Sequence, residues 1–394
     1  MLYQRQYPHY VKYMGSKSKI MNFVLEGINA VHTGGVVCDL FSGSASLAGA
    51  IGDQVTVHSN DIQAYSQVLA KAYTESYIFP SMPSSFDIIE KARHRVSYRG
   101  RSLKDISSDY YGDFKLADFH RIENQQRDLI SKDFDFKWHL FTKFYSGTWW
   151  SVEQCLWIDA LREQCERYRG TPIYEILLAC LMYAMAYTSQ GTGHYAQYRD
   201  AKTDSSLKDI LIYRRRSVSK YFAKKYDEVI MHLSNEKPRF EHKATAFDFR
   251  ECLKYLSGGT VYADPPYCFV HYSRFYHAIE TLILYDYPSI QIKSGKIVKG
   301  RYREDRHQSP FCISTQVRTA FYDLFAGVAN AGSNLVLSYS NTGMIGVDEI
   351  ENLMLNVFPA KKIEIMFTDH KHMTLGRQRD RHRDVEECLF LVKN

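Results

Sequence analysis

Val36-Val37-Cys38-Asp39-Leu40-Phe41-Ser42-Gly43-Ser44-Ala45-Ser46 begins as a short apolar run and ends in a turn of small residues. A run of that length, broken by Gly and Ser, reads as a buried parallel strand followed by a helix that opens at Ser46. Gly34-Gly35 separates it from residues 17–30, where Ile20, Phe23, Val24 and Ile28, continued by Val31, recur at helical spacing. Downstream, residues 54–58 predict a second strand, closed by Ser59-Asn60-Asp61. Strand, small-residue turn, helix, strand and acidic residue is the order of a nucleotide-binding βαβ unit. Asp61 then stands where a carboxylate accepts from ribose hydroxyls. Gly43 lets backbone approach a ligand at a helix start, although no GxGxxG is present and the spacing does not demand phosphate.

The same grammar returns after Pro238. Residues 244–247 run into Asp248, residues 249–256 read as a helix, and Thr260-Val261-Tyr262-Ala263 predicts a strand that meets Asp264-Pro265-Pro266-Tyr267. Two consecutive prolines forbid a continuing strand and fix φ, so this is a rigid loop at a strand's carboxyl end, where open α/β sheets place ligands. The Asp264 carboxylate and the Pro265 carbonyl are two acceptors suited to an amino group with two hydrogens. Tyr267 adds a flat face for a stacked ring. Later strands are predicted at 334–339, 362–367 and 387–393.

Between these portions the pattern changes. Residues 1–80 and 236–394 read as one α/β catalytic domain, interrupted at 81–235 by a long, mainly helical insertion with helices predicted at 152–168 and 173–187. Two basic clusters interleaved with aromatics stand out there. One holds Lys91, Arg93, Arg95, Arg99 and Arg101; the other holds Arg214, Arg215, Arg216, Lys220, Lys224 and Lys225. Either is a solvated helix face or a row of phosphate contacts. Residues 141–150 read as core of the insertion ahead of a stacking or wedge element, and 191–199 as a loop that is either a packed turn or near a target strand. His271, Tyr272, Arg274, Tyr276 and His277 follow the Pro-Pro loop closely enough to cover a bound base. Lys371, Arg377, Arg379, Arg381 and Arg383, opposed only by Asp380, read as a tail segment in which phosphate binding slightly outweighs solvated surface.

Composition bounds the rest. Fifty Lys and Arg against forty-four Asp and Glu is too mild an excess to name a nucleic-acid partner by itself. Aromatic residues at 14% supply stacking surface, most of it consumed by core packing. Eight cysteines without a CxxC pair are expected to be reduced thiols rather than a zinc site or disulfide framework. No stretch is long and apolar enough for a membrane span, and the first residues lack a signal-peptide core, so a cytoplasmic protein with no membrane partner is expected.

Taken in order, Lys12 to Lys17, Asp39 to Ser44, Asn60-Asp61, a long insertion, Phe247-Asp248-Phe249 and Asp264 to Tyr267 resemble the Dam-like, alpha-class DNA adenine methyltransferases. The resemblance implies a Rossmann-like, S-adenosylmethionine-dependent methyltransferase sheet with a target-recognition insertion. By the family pattern, Tyr13 and Lys17 contact the cofactor near its methionine end. Asp39, Phe41, Gly43 and Ser44 line the same pocket, Asp61 binds the ribose, and Asp248 with Phe249 meets the adenine. Asp264, Pro265, Pro266 and Tyr267 hold a flipped target adenine, with Asp264 also bordering the cofactor. The family's second small loop residue is Ala45 here.

The expected activity is transfer of a methyl group to the exocyclic amine of adenine in double-stranded DNA. The sulfonium methyl is already activated, so no metal is required. RNA adenine methylation, or an idle DNA-binding scaffold, are the alternatives. A cognate restriction enzyme is a possible partner by the resemblance, in a prokaryotic or phage-infected cell; the oligomeric state is open.

Overall fold

The computed structural model describes all residues except 113, 192–193, 267–270, 342 and 374–381, and side chains outside 369–386. Among the described residues seven strands form the main sheet: β1 (Val37–Asp39), β2 (Val57–Asn60), β3 (Lys243–Thr245), β4 (Thr260–Ala263), β7 (Asn334–Ser340), β8 (Ile363–Met373) and β9 (His382–Val392). A small separate hairpin supplies β5 (Ile292–Lys293) and β6 (Lys296–Ile297). The sheet order is β3-β2-β1-β4-β7-β9-β8. Every pairing from β3 through β7 is parallel, and β9 runs antiparallel between β7 and β8. The chain steps outward from β1 to β2 and β3, then returns to β4 on the other side. The carboxyl ends of β1 and β4 therefore flank a topological switch point, where sheets of this kind hold ligands.

Alternation along the strands explains the two covered faces. Val336, Leu389 and Leu391 share a core with Met21, Val24 and Ile28 of the helix Met21–Val31. Leu335, Leu337, Phe390 and Val392 share another with Phe321, Leu324 and Val328 of the helix Val317–Asn330. Residues one apart on a strand point to opposite faces, so β1, β4, β7 and β9 each feed both cores. Gly27 allows the first helix to lie close, since a Cβ there would meet Leu389 Cδ1 at 2.7 Å.

Between the helix Ala64–Thr74 and β3 the described residues carry helices and no strand. Ser151 starts the helix Val152–Glu166 with a reciprocal capping box to Gln154. The helix Tyr174–Thr188 has Ile176 through Met182 with no exposure at all, as expected for an apolar stretch too short to span a membrane. No helix among the described residues is long and apolar enough to cross one. This helical layer is packed into the same core as the helix Met21–Val31.

The second strand differs from expectation. The Gln54 and Val55 amides bond back to the Ile51 carbonyl, so the chain is still turning there and β2 begins at Val57. The last hairpin is also longer than its apolar runs, because backbone pairing continues from Thr368 opposite Glu387 to Met373 opposite His382. Lys371 and Arg383 lie in that pairing, whereas Arg377, Arg379, Asp380 and Arg381 fall outside the described residues.

Candidate active site

One cleft opens at the carboxyl ends of β1, β2 and β4. Tyr13, Lys17, Asp39, Phe41, Gly43, Ser44, Asp61, Asp248, Phe249, Asp264, Pro265 and Pro266 all line it. Tyr267 lies outside the described residues.

The loop after β1 is built by backbone constraints. Gly43 has φ +50°, and a Cβ on it would lie 2.9 Å from the Tyr13 hydroxyl. Its amide donates to Asp61 Oδ2 at 2.9 Å, while the Gln63 amide donates to Oδ1 at 3.0 Å. Ala45 also sits in the left-handed region, at φ 55°. That conformation costs an L-residue about 1 kcal/mol and explains why a glycine suits the position. Ser16, Ser44 and Ser46 hydroxyls lie 2.8–3.5 Å apart and tie the Lys12-to-Lys17 segment to this loop. Tyr13 stacks on Tyr276 with ring centroids 4.5 Å apart and interplanar angle 11°. On another side Phe41 meets Phe249 at 5.7 Å and Phe311 at 5.4 Å, an aromatic wall for a flat ring. Asp248 caps the helix Phe249–Lys254 by accepting from the Arg250 amide at 2.9 Å, and still borders the cleft.

Charge is concentrated at the centre. Burial pushes Asp39 well above the usual carboxylate range, and the nearby Asp264 and Asp61 carboxylates push it further. Burial likewise raises Asp61, against the lowering effect of its backbone hydrogen bonds. Lys17 is the cation among them. Burial alone would lower its pKa, but Asp264 and Glu387 overcome that and hold the ammonium above its ordinary value. Lys17 Nζ lies 3.4 Å from Asp264 Oδ1 and donates to the Glu387 oxygens at 3.1 and 3.0 Å. Lys17 and Glu387 are 6% and 1% exposed and Asp264 18%, so the ion pairs are screened little by solvent.

Glu387, Phe311 and Cys312 were not singled out from the sequence. Cys312 donates through Sγ to the Pro266 carbonyl at 3.4 Å and pins the Pro-Pro loop. A carboxylate opening a buried strand was the available signal for Glu387. Its partner lies 370 positions away.

Other expectations divide. His271 and Tyr272 border the cleft, but Tyr276 and His277 are buried, with His277 Nε2 2.9 Å from the Tyr195 carbonyl and Nδ1 3.2 Å from the Tyr145 hydroxyl. Arg274 donates to Tyr302 Oη. Arg274 and His277 serve packing there, whereas Tyr276 backs the cleft from behind, stacked on Tyr13 and accepting from the Met14 amide at 2.7 Å. Phe141, Tyr145, Trp149 and Trp150 have no exposure, as a core stretch should. The loop at 191–199 packs through the Tyr195 amide on the Phe275 carbonyl at 2.7 Å; Thr192 and Gly193 lie outside the described residues.

The basic clusters need the sharpest correction. Arg214 is completely buried on Glu123, Arg99 is buried on Glu163, and Lys225 is buried on Glu228. None of the three faces solvent as a phosphate contact must. Lys91, Arg93, Arg95, Arg101, Arg215, Lys220 and Lys224 are exposed.

A mostly parallel sheet of this order, with an acidic, aromatic-walled cleft at its switch point, is a Rossmann-like methyltransferase sheet. The sequence profile of the D12 class N6 adenine-specific DNA methyltransferases matches residues 13–333, and the chain belongs to that family. It is similar to the modification methylase LlaI of Lactococcus lactis subsp. lactis, 23% identical over 87% of this chain and 48% of that protein. It is 26% identical to the type II methyltransferase M.FokI of Planomicrobium okeanokoites, over 87% of this chain and 46% of that one. The type II methyltransferase M.NlaIII of Neisseria lactamica is 21% identical over 96% of this chain and 97% of its own length. The chain thus spans about half the length of the first two relatives.

Proposed function

We propose that this chain transfers a methyl group from S-adenosylmethionine to the exocyclic amine of an adenine flipped out of double-stranded DNA. The observation that carries the reading is the position of Asp264. It leaves β4 at the switch point, is followed by two prolines, and opens on the cleft that also holds Asp61. The donor set suits the cofactor: converging carboxylates for a cationic amino acid and hydroxyls, and the Phe41, Phe249 and Phe311 rings for a purine. Bound there, the cofactor supplies a sulfonium-activated methyl group.

The chain's own residues then have separable tasks. The Asp264 carboxylate and the Pro265 carbonyl accept the two hydrogens of the amine, favour a pyramidal nitrogen, and stabilise positive charge growing on it. Lys17 stays protonated, so it is not the base; it holds the Asp264 carboxylate in place. An aspartate paired with a cation is a weak base, which fits a proton leaving after transfer. Extruding the base costs a few kcal/mol, offset in part by stacking on Tyr267. The insertion 81–235 is the target-recognition region, and DNA is the partner. The exposed Arg215, Lys220 and Lys224 supply phosphate contacts.

Glu387→Gln is expected to lower kcat about tenfold, with KM for the cofactor nearly unchanged, because a charged hydrogen-bond pair that orients Lys17 is lost. Steady-state kinetics on the folded variant checks it; equal kcat would make the pair merely structural.

Cofactor binding is expected to release protons. Asp39 and Asp61 have raised pKa values in the free cleft, so each retains some proton to higher pH than usual. A cationic ligand favours their ionised forms and expels those protons; affinity therefore rises with pH until the raised pKa values are passed. Calorimetry in two buffers of different ionisation enthalpy measures the release, and proton uptake would contradict the assignment. Labelled methyl transfer to duplex DNA, with RNA in parallel, tests the function itself. Label in RNA alone would reassign the substrate.

A further inference from the structure

Among the described residues, one group of three soft or borderline metal ligands comes together, away from the reacting groups. Cys38 on β1 and His58 on β2 are register partners in adjacent parallel strands, and Cys252 reaches them from the helix Phe249–Lys254. Their ligand atoms all lie within 4.8 Å of one another. Cys38 is 1%, His58 4% and Cys252 0% exposed.

We propose that Cys38, His58 and Cys252 bind a thiophilic divalent cation of the zinc type. A tetrahedral zinc with ordinary bond lengths sets its sulfur and nitrogen ligands roughly 3.5 Å apart. Cys252 Sγ and His58 Nε2 are already 3.9 Å apart, so a small side-chain movement completes that edge. The charge balance favours burial: two thiolates, a neutral imidazole and a divalent ion sum to zero, avoiding the cost of a buried net charge. Thr245 Oγ1, 2.9 Å from His58 Nε2, is the neighbouring oxygen for a fourth position, which a water could equally fill.

The Thr245 hydroxyl gives its hydrogen to Asn60 Oδ1 at 2.7 Å, so without metal it accepts from His58 Nε2. Binding moves the imidazole proton to Nδ1, frees Nε2 for the ion, and releases up to two thiol protons to solvent. Asn60 in turn holds the Leu40 and Phe247 carbonyls at 3.2 and 3.1 Å. The ion would clasp the three elements that carry Asp39, Asp61 and Asp248. It stabilises the cleft without joining the chemistry, and it is independent of the methyl-transfer reading.

Cadmium titration of the chelator-treated chain tests this through the ultraviolet thiolate-to-metal charge-transfer band. One equivalent is expected to saturate the band, zinc to displace it, and the thermal midpoint to rise with metal. Cys38→Ala and Cys252→Ala, each checked for native circular dichroism, are expected to lose the band. His58→Gln, whose amide can still donate to Thr245, is expected to weaken binding at least tenfold. If Cys38→Ala does not fold, Cys252→Ala alone decides. No band in the unaltered chain, or an undiminished band in Cys252→Ala, would overturn the proposal. So would a Cys38–Cys252 disulfide formed by mild oxidant in a chain that takes up no metal.

Discussion

Replacing Asp264 by alanine is expected to lower methyl transfer by at least about 100- to 1,000-fold, the scale reached when one preorganised electrostatic partner is removed from a reacting centre. The loss should fall on kcat. In the proposed function Asp264 meets the amine whose charge grows during transfer, whereas Asp61 and the aromatic wall, assigned there to the cofactor, are untouched. The fold should survive, because Lys17 remains paired with Glu387 through two contacts near 3 Å and is not left as an isolated buried charge. Asp264→Asn keeps an acceptor oxygen but loses the attraction to Lys17, so it should fall between the wild type and the alanine variant. Single-turnover rates with cofactor binding measured separately check both. Retained transfer by Asp264→Ala would remove the residue from the site.

Arg214→Ala carries the largest expected effect on stability. The guanidinium donates to Glu123 Oε1 and Oε2 at 2.8 and 2.7 Å, and to the Trp149 and Thr148 carbonyls at 2.7 and 2.6 Å. Both side chains have no exposure. Truncating Arg214 takes four charged hydrogen bonds from a buried site and leaves the Glu123 carboxylate with only the Tyr110 hydroxyl at 2.6 Å and Arg127 at 3.6 Å, a loss of about 3 kcal/mol. That is a large fraction of a typical domain's stability and should lower the thermal midpoint by on the order of ten degrees. Glu123→Leu with Arg214→Met, which replaces the pair by apolar side chains, should recover part of it, the buried Tyr110 hydroxyl having lost its Glu123 acceptor. A salt titration of DNA binding separates this role from a phosphate contact. The apolar double variant should keep the wild-type slope, while Lys220→Ala with Lys224→Ala should flatten it. A flattened slope in the double variant would restore Arg214 as a DNA contact.

These two residues show how far local sequence reasoning reaches. The position of Asp264 was readable because it is set locally: a strand, an acid and two prolines dictate a rigid loop at a strand end without knowledge of any distant residue. Asp61 and Gly43 were readable for the same reason, since a βαβ unit places them by chain order. Arg214 was not, because a run of three arginines says nothing of Glu123, which lies 91 positions away and decides that one of them turns inward. His277 went the same way, bonded to Tyr195 and Tyr145 of the helical layer instead of facing the cleft. Glu387 and the Cys38, His58 and Cys252 group are likewise products of sheet order, invisible to spacing because β9 and the helix Phe249–Lys254 arrive from far along the chain. The late start of β2 was a smaller miss, set by amides that bond back to Ile51 before the strand begins.

The proposed function turns on which atom receives the methyl group. Mixed-sequence duplex DNA, incubated with the chain and labelled S-adenosylmethionine and then digested to nucleosides, can be read by mass and retention. The label is expected to appear as N6-methyladenine. Label on cytosine, or no labelled nucleoside from a chain that binds both cofactor and DNA, would contradict the proposed function.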